Sequence, residues 1–327
     1  MSPDPDPSAM GSPLDDLPPW VPAATPRTCE RCGHPMSEEA GFCEACGAAV
    51  STPLHDEEGD RNHFVLAPAS WVAGVCDRGQ VDRGNEDALA LAAAEPQGSH
   101  AALVVCDGVT SAPDSDVASL AAARAALAIL AAPFSKGLGG QSSAVVAAGR
   151  TFDRAIREAQ AAVLRESERS GVRTGASTIA GAVVAGNVVW TIGIGDSRVY
   201  LIPDEGKPLM LTTDDSMAEF LIASGVPRAD AEDTPISHTI TRWLGVDAPD
   251  IDPHARRFEL SGPGWLLVCS DGLWNYASDE KDMAAVFAQV RASGVPDEPL
   301  ALAHGMVQWA NDQGGSDNIT AALARVG

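Results

Sequence analysis

Lysine is almost missing from this chain, occurring only at Lys136, Lys207 and Lys281. Lysine and arginine together number 22 against 45 aspartates and glutamates, which sets a formal charge of −23 over 327 residues. A nucleic-acid surface needs clustered cations to displace counterions, and the arginines here are scattered, so that function class is excluded. No apolar run reaches the ~18 residues that mark a membrane-spanning helix. The N-terminus is acidic and Pro-rich, where a secretory leader would carry a basic segment and then an apolar one. The expectation is a soluble, cytoplasmic protein with no membrane partner. An apolar content of 45% supports a real core, and the acid surplus leaves carboxylates free to serve as ligands for hard cations.

Seven cysteines divide by context. Cys29 and Cys32 form one CxxC pair and Cys43 and Cys46 another; each is followed by glycine and ten residues separate them. Two thiolates of one tight turn reach the same ion, so the four specify a closed tetrahedral site for one structural Zn²⁺. A segment this small buries too little core to fold without the metal. Cys76, Cys106 and Cys269 instead sit singly inside apolar runs and read as small buried hydrophobes. The expected organisation is a disordered Pro-rich tail over 1–27, a zinc ribbon over 28–50, a polar linker over 51–69 and one large domain over 70–327.

Within that large domain, two stretches share a design. Ala102-Leu103-Val104-Val105-Cys106 ends in Asp107-Gly108, and Trp265-Leu266-Leu267-Val268-Cys269 ends in Ser270-Asp271-Gly272. Unbroken aliphatic runs of this length predict strands covered on both faces, with the acid where the strand leaves the core. In each, the glycine lets the backbone turn sharply and its carbonyl approach a ligand closely. Asp87 stands at the foot of another predicted strand, Ala88–Ala93. Asp196 lies in a Gly-rich turn after a hairpin over 178–194, and Asp317 precedes a closing strand at Ile319. Amphipathic spacing predicts a helix through Phe152, Ile156, Ala159 and Val163, packed beside an Ala/Leu-rich helix for which Pro113-Asp114-Ser115-Asp116 offers caps. Residues 212–244 read as a flap.

The segments Asn85-Glu86-Asp87, Val105-Cys106-Asp107-Gly108, Gly195-Asp196-Ser197-Arg198, Ile240-Thr241-Arg242-Trp243-Leu244-Gly245, Ser270-Asp271-Gly272-Leu273-Trp274 and Ser316-Asp317-Asn318-Ile319-Thr320, in this order, resemble the type 2C metal-dependent serine/threonine protein phosphatases of bacterial type. The resemblance implies an α+β fold, a four-layer α-β-β-α sandwich of two mainly antiparallel sheets flanked by helices. It implies two Mg²⁺ or Mn²⁺ ions held by Asp87, Asp107, the Gly108 carbonyl, Asp271 and Asp317, with Asp107 bridging and Asp196 near a third. The chemistry implied is hydrolysis of phosphoserine and phosphothreonine in phosphorylated proteins by a metal-activated water, opposing a bacterial Ser/Thr kinase.

The chain also departs from the family pattern. Val109-Thr110-Ser111 replaces the Gly-rich stretch that usually follows Asp-Gly, so no general acid is assigned, and Asp214-Asp215-Ser216 replaces Asp-His-Ser in the flap. The usual phosphate-binding arginine position holds Asp82; Arg83, one place later, is the candidate, with Arg78 as substitute. An alternative follows, a catalytically weak phosphoprotein-binding or scaffold module that docks through its ribbon.

Overall fold

A computed structural model describes residues 27–28, 34–36, 61–133, 141–170 and 175–327. Strands β1 (Arg27–Thr28) and β2 (Pro35–Met36) pair antiparallel on either side of the first CxxC. The four ribbon cysteines and the tail lie outside the described residues, as does most of the expected linker.

Two sheets form the body. One runs in the order β11 (Leu209–Met210), β10 (Arg198–Pro203), β14 (Gly264–Cys269), β15 (Ile319–Val326), β4 (Val72–Asp77) and β3 (His63–Ala69). The other runs β13 (Arg256–Glu259), β9 (Val188–Ile194), β8 (Ile179–Ala185), β6 (His100–Cys106) and β5 (Ala88–Ala94). A two-strand patch of β7 (Ala176–Ser177) and β12 (Leu244–Gly245) lies beside them, and every pairing among the described strands is antiparallel. The expected sandwich is therefore present.

Alternation explains the unbroken apolar runs. In β6, Leu103 and Val105 point into the layer between the sheets, while Ala102, Val104 and Cys106 face the outer helices. In β14, Leu266 and Val268 enter that same middle layer while Trp265, Leu267 and Cys269 face the opposite helical layer. Each strand is buried on both faces, so no polar alternation survives to mark it. Each fully buried Leu or Val contributes roughly 1.5–3 kcal/mol relative to exposure.

The outer layers follow helical periodicity. Helix α1 (Ser115–Leu130) packs Ala118, Ala122, Ala123 and Ala126 on the five-stranded sheet, and α2 (Gln141–Ser170) adds Phe152, Ile156, Ala159 and Val163. Small alanines let α1 approach the strands closely. Over the six-stranded sheet, α6 (Glu280–Ala292) buries Met283, Val286, Phe287 and Val290, and α7 (Pro299–Asp312) buries Leu302, Ala303, Met306 and Val307. Asp279 caps α6 by accepting the Lys281 amide, and Pro299 opens α7 where no amide partner is needed.

Three expectations change. Residues 63–69, placed in the linker, form edge strand β3, paired with β4 from His63↔Asp77 to Ala69↔Val72 across a register shift near Pro68. Proline is tolerated there because an edge strand has one unpaired side. The large domain thus begins earlier than residue 70. Asp114 caps α1 by position only: it sits at φ 57° and its side chain makes no cap bond. Gly272 turns no chain; it lies in α5 (Asp271–Trp274), where an added Cβ would meet the Asn318 carbonyl at 2.1 Å.

Candidate active site

Four loops at one end of the sandwich bring the acids together. Asp87 precedes β5, Asp107 follows β6, Asp271 opens α5 at the end of β14, and Asp317 precedes β15. Two of these elements belong to each sheet, so the acids meet across the layer between the sheets.

Asp87 is almost fully buried, at 1% exposure. Its Oδ2 accepts bonds from Ser270 Oγ and Thr320 Oγ1, both at 2.7 Å, and the Thr320 amide donates to Ser270 Oγ at 2.9 Å. Its Oδ1 is buried with no hydrogen-bond partner among the described residues. A buried acceptor without a donor costs about 1–3 kcal/mol, so this oxygen is open to a further partner. Burial pushes Asp87 well above the usual carboxylate range; the two hydroxyl bonds oppose this, and the charges of Asp317 and Asp271 add to it.

Asp107 is fixed through its backbone. Its amide donates to Thr178 Oγ1 at 3.1 Å and its carbonyl accepts the Thr178 amide at 2.8 Å. The following bridge pairs Gly108 with Ser177, closed by the Val109 amide on the Ala176 carbonyl; the Gly108 carbonyl takes no part in it. A Cβ on Gly108 would meet the Glu86 and Ser115 carbonyls at 2.8 Å, so only glycine fits between the two loops. Burial raises the Asp107 carboxyl strongly, followed by the charges of Asp271, Asp87, Asp196 and Asp317.

Asp317 accepts its neighbour Asn318's amide at 2.8 Å. Burial and then Asp271 push it up to about 6, against that bond. Asp196 is buried at 4% exposure and is raised by burial, then by Asp271 and Asp214, while Arg198 opposes. Asp271 accepts Asn275 Nδ2 at 3.1 Å. Among the described residues no three acidic, histidine or cysteine side chains close into a ready-made cage. The carboxylates are instead near enough that Asp317 and Asp271 oppose ionisation of Asp87, and Asp271, Asp87, Asp196 and Asp317 that of Asp107. A divalent cation fits this donor set: it would partner Asp87 Oδ1 and relieve the mutual repulsion, and hard oxygen ligands select Mg²⁺ or Mn²⁺.

Several supporting residues were missed by sequence reasoning. Asn318 holds the loop over 78–86 to β15: its Nδ2 donates to the Arg78 and Gly84 carbonyls and its Oδ1 accepts the Glu86 amide at 2.6 Å. Ser270 and Thr320 orient Asp87, though their hydroxyls gave no signal beyond adjacency to acids. Arg61, from the expected linker, donates to the Asp87 carbonyl at 3.3 Å and to the Asp116 carbonyl at 3.0 Å. Arg83 is exposed, and no side-chain bond holds it among the described residues; Arg78 is half-buried with an unpartnered Nε.

The flap is clamped at its base by two consecutive acids facing opposite ways. Asp214 grips Arg198, bonding its Nη2 at 2.6 Å, and that guanidinium lies 3.5 Å from the centre of the Trp274 ring on α5. Asp215 accepts the Gly195 amide and Arg242, and Arg242 also meets Asp250. Arg198 thus ties β10 to the flap and to α5. Burial pushes the thiols of Cys76 (to about 12), Cys106 and Cys269 up, which disfavours the thiolate at these three positions.

This geometry has counterparts. The family model described as Protein phosphatase 2C matches residues 78–309. The serine/threonine protein phosphatase PstP of Mycobacterium tuberculosis is 30% identical over 261 residues, 78% of this chain and 44% of that protein, so the chain spans less than half of that relative. The serine/threonine phosphatase stp of Listeria monocytogenes is 28% identical over 253 residues, 76% of this chain and 92% of that protein. Among solved structures, the catalytic domain of serine/threonine protein phosphatase PstP in complex with two manganese ions superposes with a TM-score of 0.58 at 25% identity, covering 81% of this chain and 100% of that one.

Proposed function

The chain belongs to the protein phosphatase 2C family, and from that premise we propose that it is a metal-dependent serine/threonine protein phosphatase acting on phosphorylated proteins and opposing a Ser/Thr kinase. The observation that carries the reading is the buried Asp87 Oδ1, unpartnered among the described residues, in a carboxyl that burial and then the charges of Asp317 and Asp271 push up. Asp87, Asp107 with the Gly108 carbonyl, Asp271 and Asp317 would hold two Mg²⁺ or Mn²⁺ ions, and Asp196 would lie near a third. When bound, such ions supply a water activated for attack on phosphorus and neutralise charge on the phosphoryl oxygens.

The chain's own contribution is placement. Ser270 and Thr320 fix one oxygen of Asp87 and leave the other without a partner among the described residues. The apolar ends of β6 and β14 form a dry floor that strengthens every charge interaction above it. Arg83, unengaged and exposed beside the acid-bearing loop, is the cation available to the phosphate. Separately, Cys29, Cys32, Cys43 and Cys46 would bind one structural Zn²⁺, a reading supported by their spacing; one zinc per chain in the purified protein checks it.

The test is hydrolysis of p-nitrophenyl phosphate and a phosphothreonine peptide with Mn²⁺, with chelator, and in Asp271→Asn. Activity is expected with Mn²⁺ alone. Bound metal without turnover on either substrate would sink the enzyme reading and favour a phosphoprotein-binding module.

A further inference from the structure

A groove of about 460 Å³ opens beside the acids, between the loop after Gly108 and the flap. That volume lies in the range of sites that enclose a small ligand. One wall is Val109, Ala112 and Pro113; the other is Ile240 and Trp243 of the flap. Both walls join the acid-bearing elements directly. Val109 is two residues past Asp107, and His238, at the flap end of the groove, stacks on Trp274, the last residue of the helix that Asp271 opens. The groove therefore lies next to the loops that carry Asp107 and Asp271.

The lining sets the chemistry of the occupant. Val109, Ala112, Ile240 and Trp243 are half-buried apolar side chains. Trp243 Nε1 donates to Asp247 at 3.0 Å, which satisfies the indole's polar atom and holds the ring in place. Among the described residues neither arginine nor lysine lines the groove, so a phosphate has no cationic partner there, and the one carboxylate is that of Asp247. We propose that this groove is the specificity site for protein substrates, taking one bulky apolar side chain of the phosphopeptide that flanks the phosphoresidue. The proposal rests on the phosphatase reading and adds a sequence preference to it. Burying one such side chain is worth about 1.5–3 kcal/mol, which is about ten- to a hundredfold in kcat/KM.

The experiment uses the full chain with Mn²⁺ and phosphothreonine peptides carrying Leu or Gly at each position from three before to three after the phosphoresidue. One flanking position is expected at which Leu exceeds Gly by about tenfold or more in kcat/KM, chiefly through KM. Trp243→Ala, which empties one wall, and Ala112→Phe, which fills the groove from the other, should each bring that ratio close to one. A parallel measurement with peptides carrying a non-hydrolysable phosphonate, read by fluorescence anisotropy, gives the same Leu/Gly ratio as binding. If p-nitrophenyl phosphate is not hydrolysed with metal bound, the phosphatase reading fails, while a Leu preference in the phosphonate series that Ala112→Phe removes still supports the groove. A wild-type ratio near one at every position overturns the proposal. So does a concentration-dependent dimer in sedimentation that Ala112→Phe abolishes, since a second copy would then be the occupant.

Discussion

Strands β6 and β14 both leave the core through Asp-Gly, and the two exits diverge within one residue. After β6 the chain stays extended: Asp107 is pinned by Thr178, Gly108 bridges Ser177, and its carbonyl stays outside the bridge. After β14 the chain coils at once: Ser270 occupies the cap position, Asp271 opens α5, and Gly272 presses on the Asn318 carbonyl. The first exit therefore offers a carboxylate and a backbone oxygen, the second a carboxylate and a hydroxyl that reaches back to Asp87. The same local sequence serves two purposes because its surroundings differ: a neighbouring strand in one case, a helix turning onto β15 in the other.

The comparison breaks most sharply at the acids. Asp107→Asn should lower phosphopeptide kcat/KM in Mn²⁺ by about 10³-fold, several kcal/mol of lost charge stabilisation, and Asp271→Asn should come within tenfold of it. Near-normal turnover in Asp107→Asn would mean that the acids do not form one centre. Next in size is Ser270→Ala, which leaves both strands intact but removes a bond to Asp87 Oδ2. Its Mn²⁺ affinity, read by calorimetry, should weaken about 10–100-fold, with Thr320→Val acting alike. An unchanged isotherm in both would remove Asp87 from the metal site.

The glycines sharpen the contrast further. Gly272→Ala places a Cβ 2.1 Å from a carbonyl and should cost roughly 2–3 kcal/mol in urea denaturation, whereas Gly108→Ala, at 2.8 Å from two carbonyls, should cost about 1–2. Equal losses would show that the two exits yield equally. The smallest effect is on pH dependence. Asp87, Asp107, Asp196 and Asp317 have folded-state pKa values above their ordinary value, so the folded protein holds protons that the unfolded chain releases. The resulting stability is fully present below pH 3.8 and, for Asp317, is lost as pH rises through about 6. Metal-free protein should melt a few degrees lower at pH 7.5 than at pH 5, and saturating Mn²⁺ should flatten or reverse that slope.

Periodicity made much of the fold legible. The hairpin over 178–194, the helix through Phe152, and the strands leading to Asp107 and Asp271 stand where their apolar patterns put them. Strand β3 was hidden for physical reasons: it is led by His63, interrupted by Pro68, only half-buried, and held through a single partner strand. Arg61 went unnoticed with it. The hydroxyls of Ser270 and Thr320 were equally silent, because they act on Asp87 from 183 and 233 residues away.

Local sequence by itself determined which runs are buried on both faces, where they end in acid, and the order that ties the chain to its family. Those are properties of neighbouring residues, and apolar spacing records them directly. Only the tertiary structure decided which oxygen of Asp87 is left without a partner among the described residues, that the Gly108 carbonyl stays outside the bridge to Ser177, and that Val109 and Trp243 line one groove. Each of these depends on contacts between segments far apart in the chain, whose meeting is set by how the two sheets pack and not by any stretch alone.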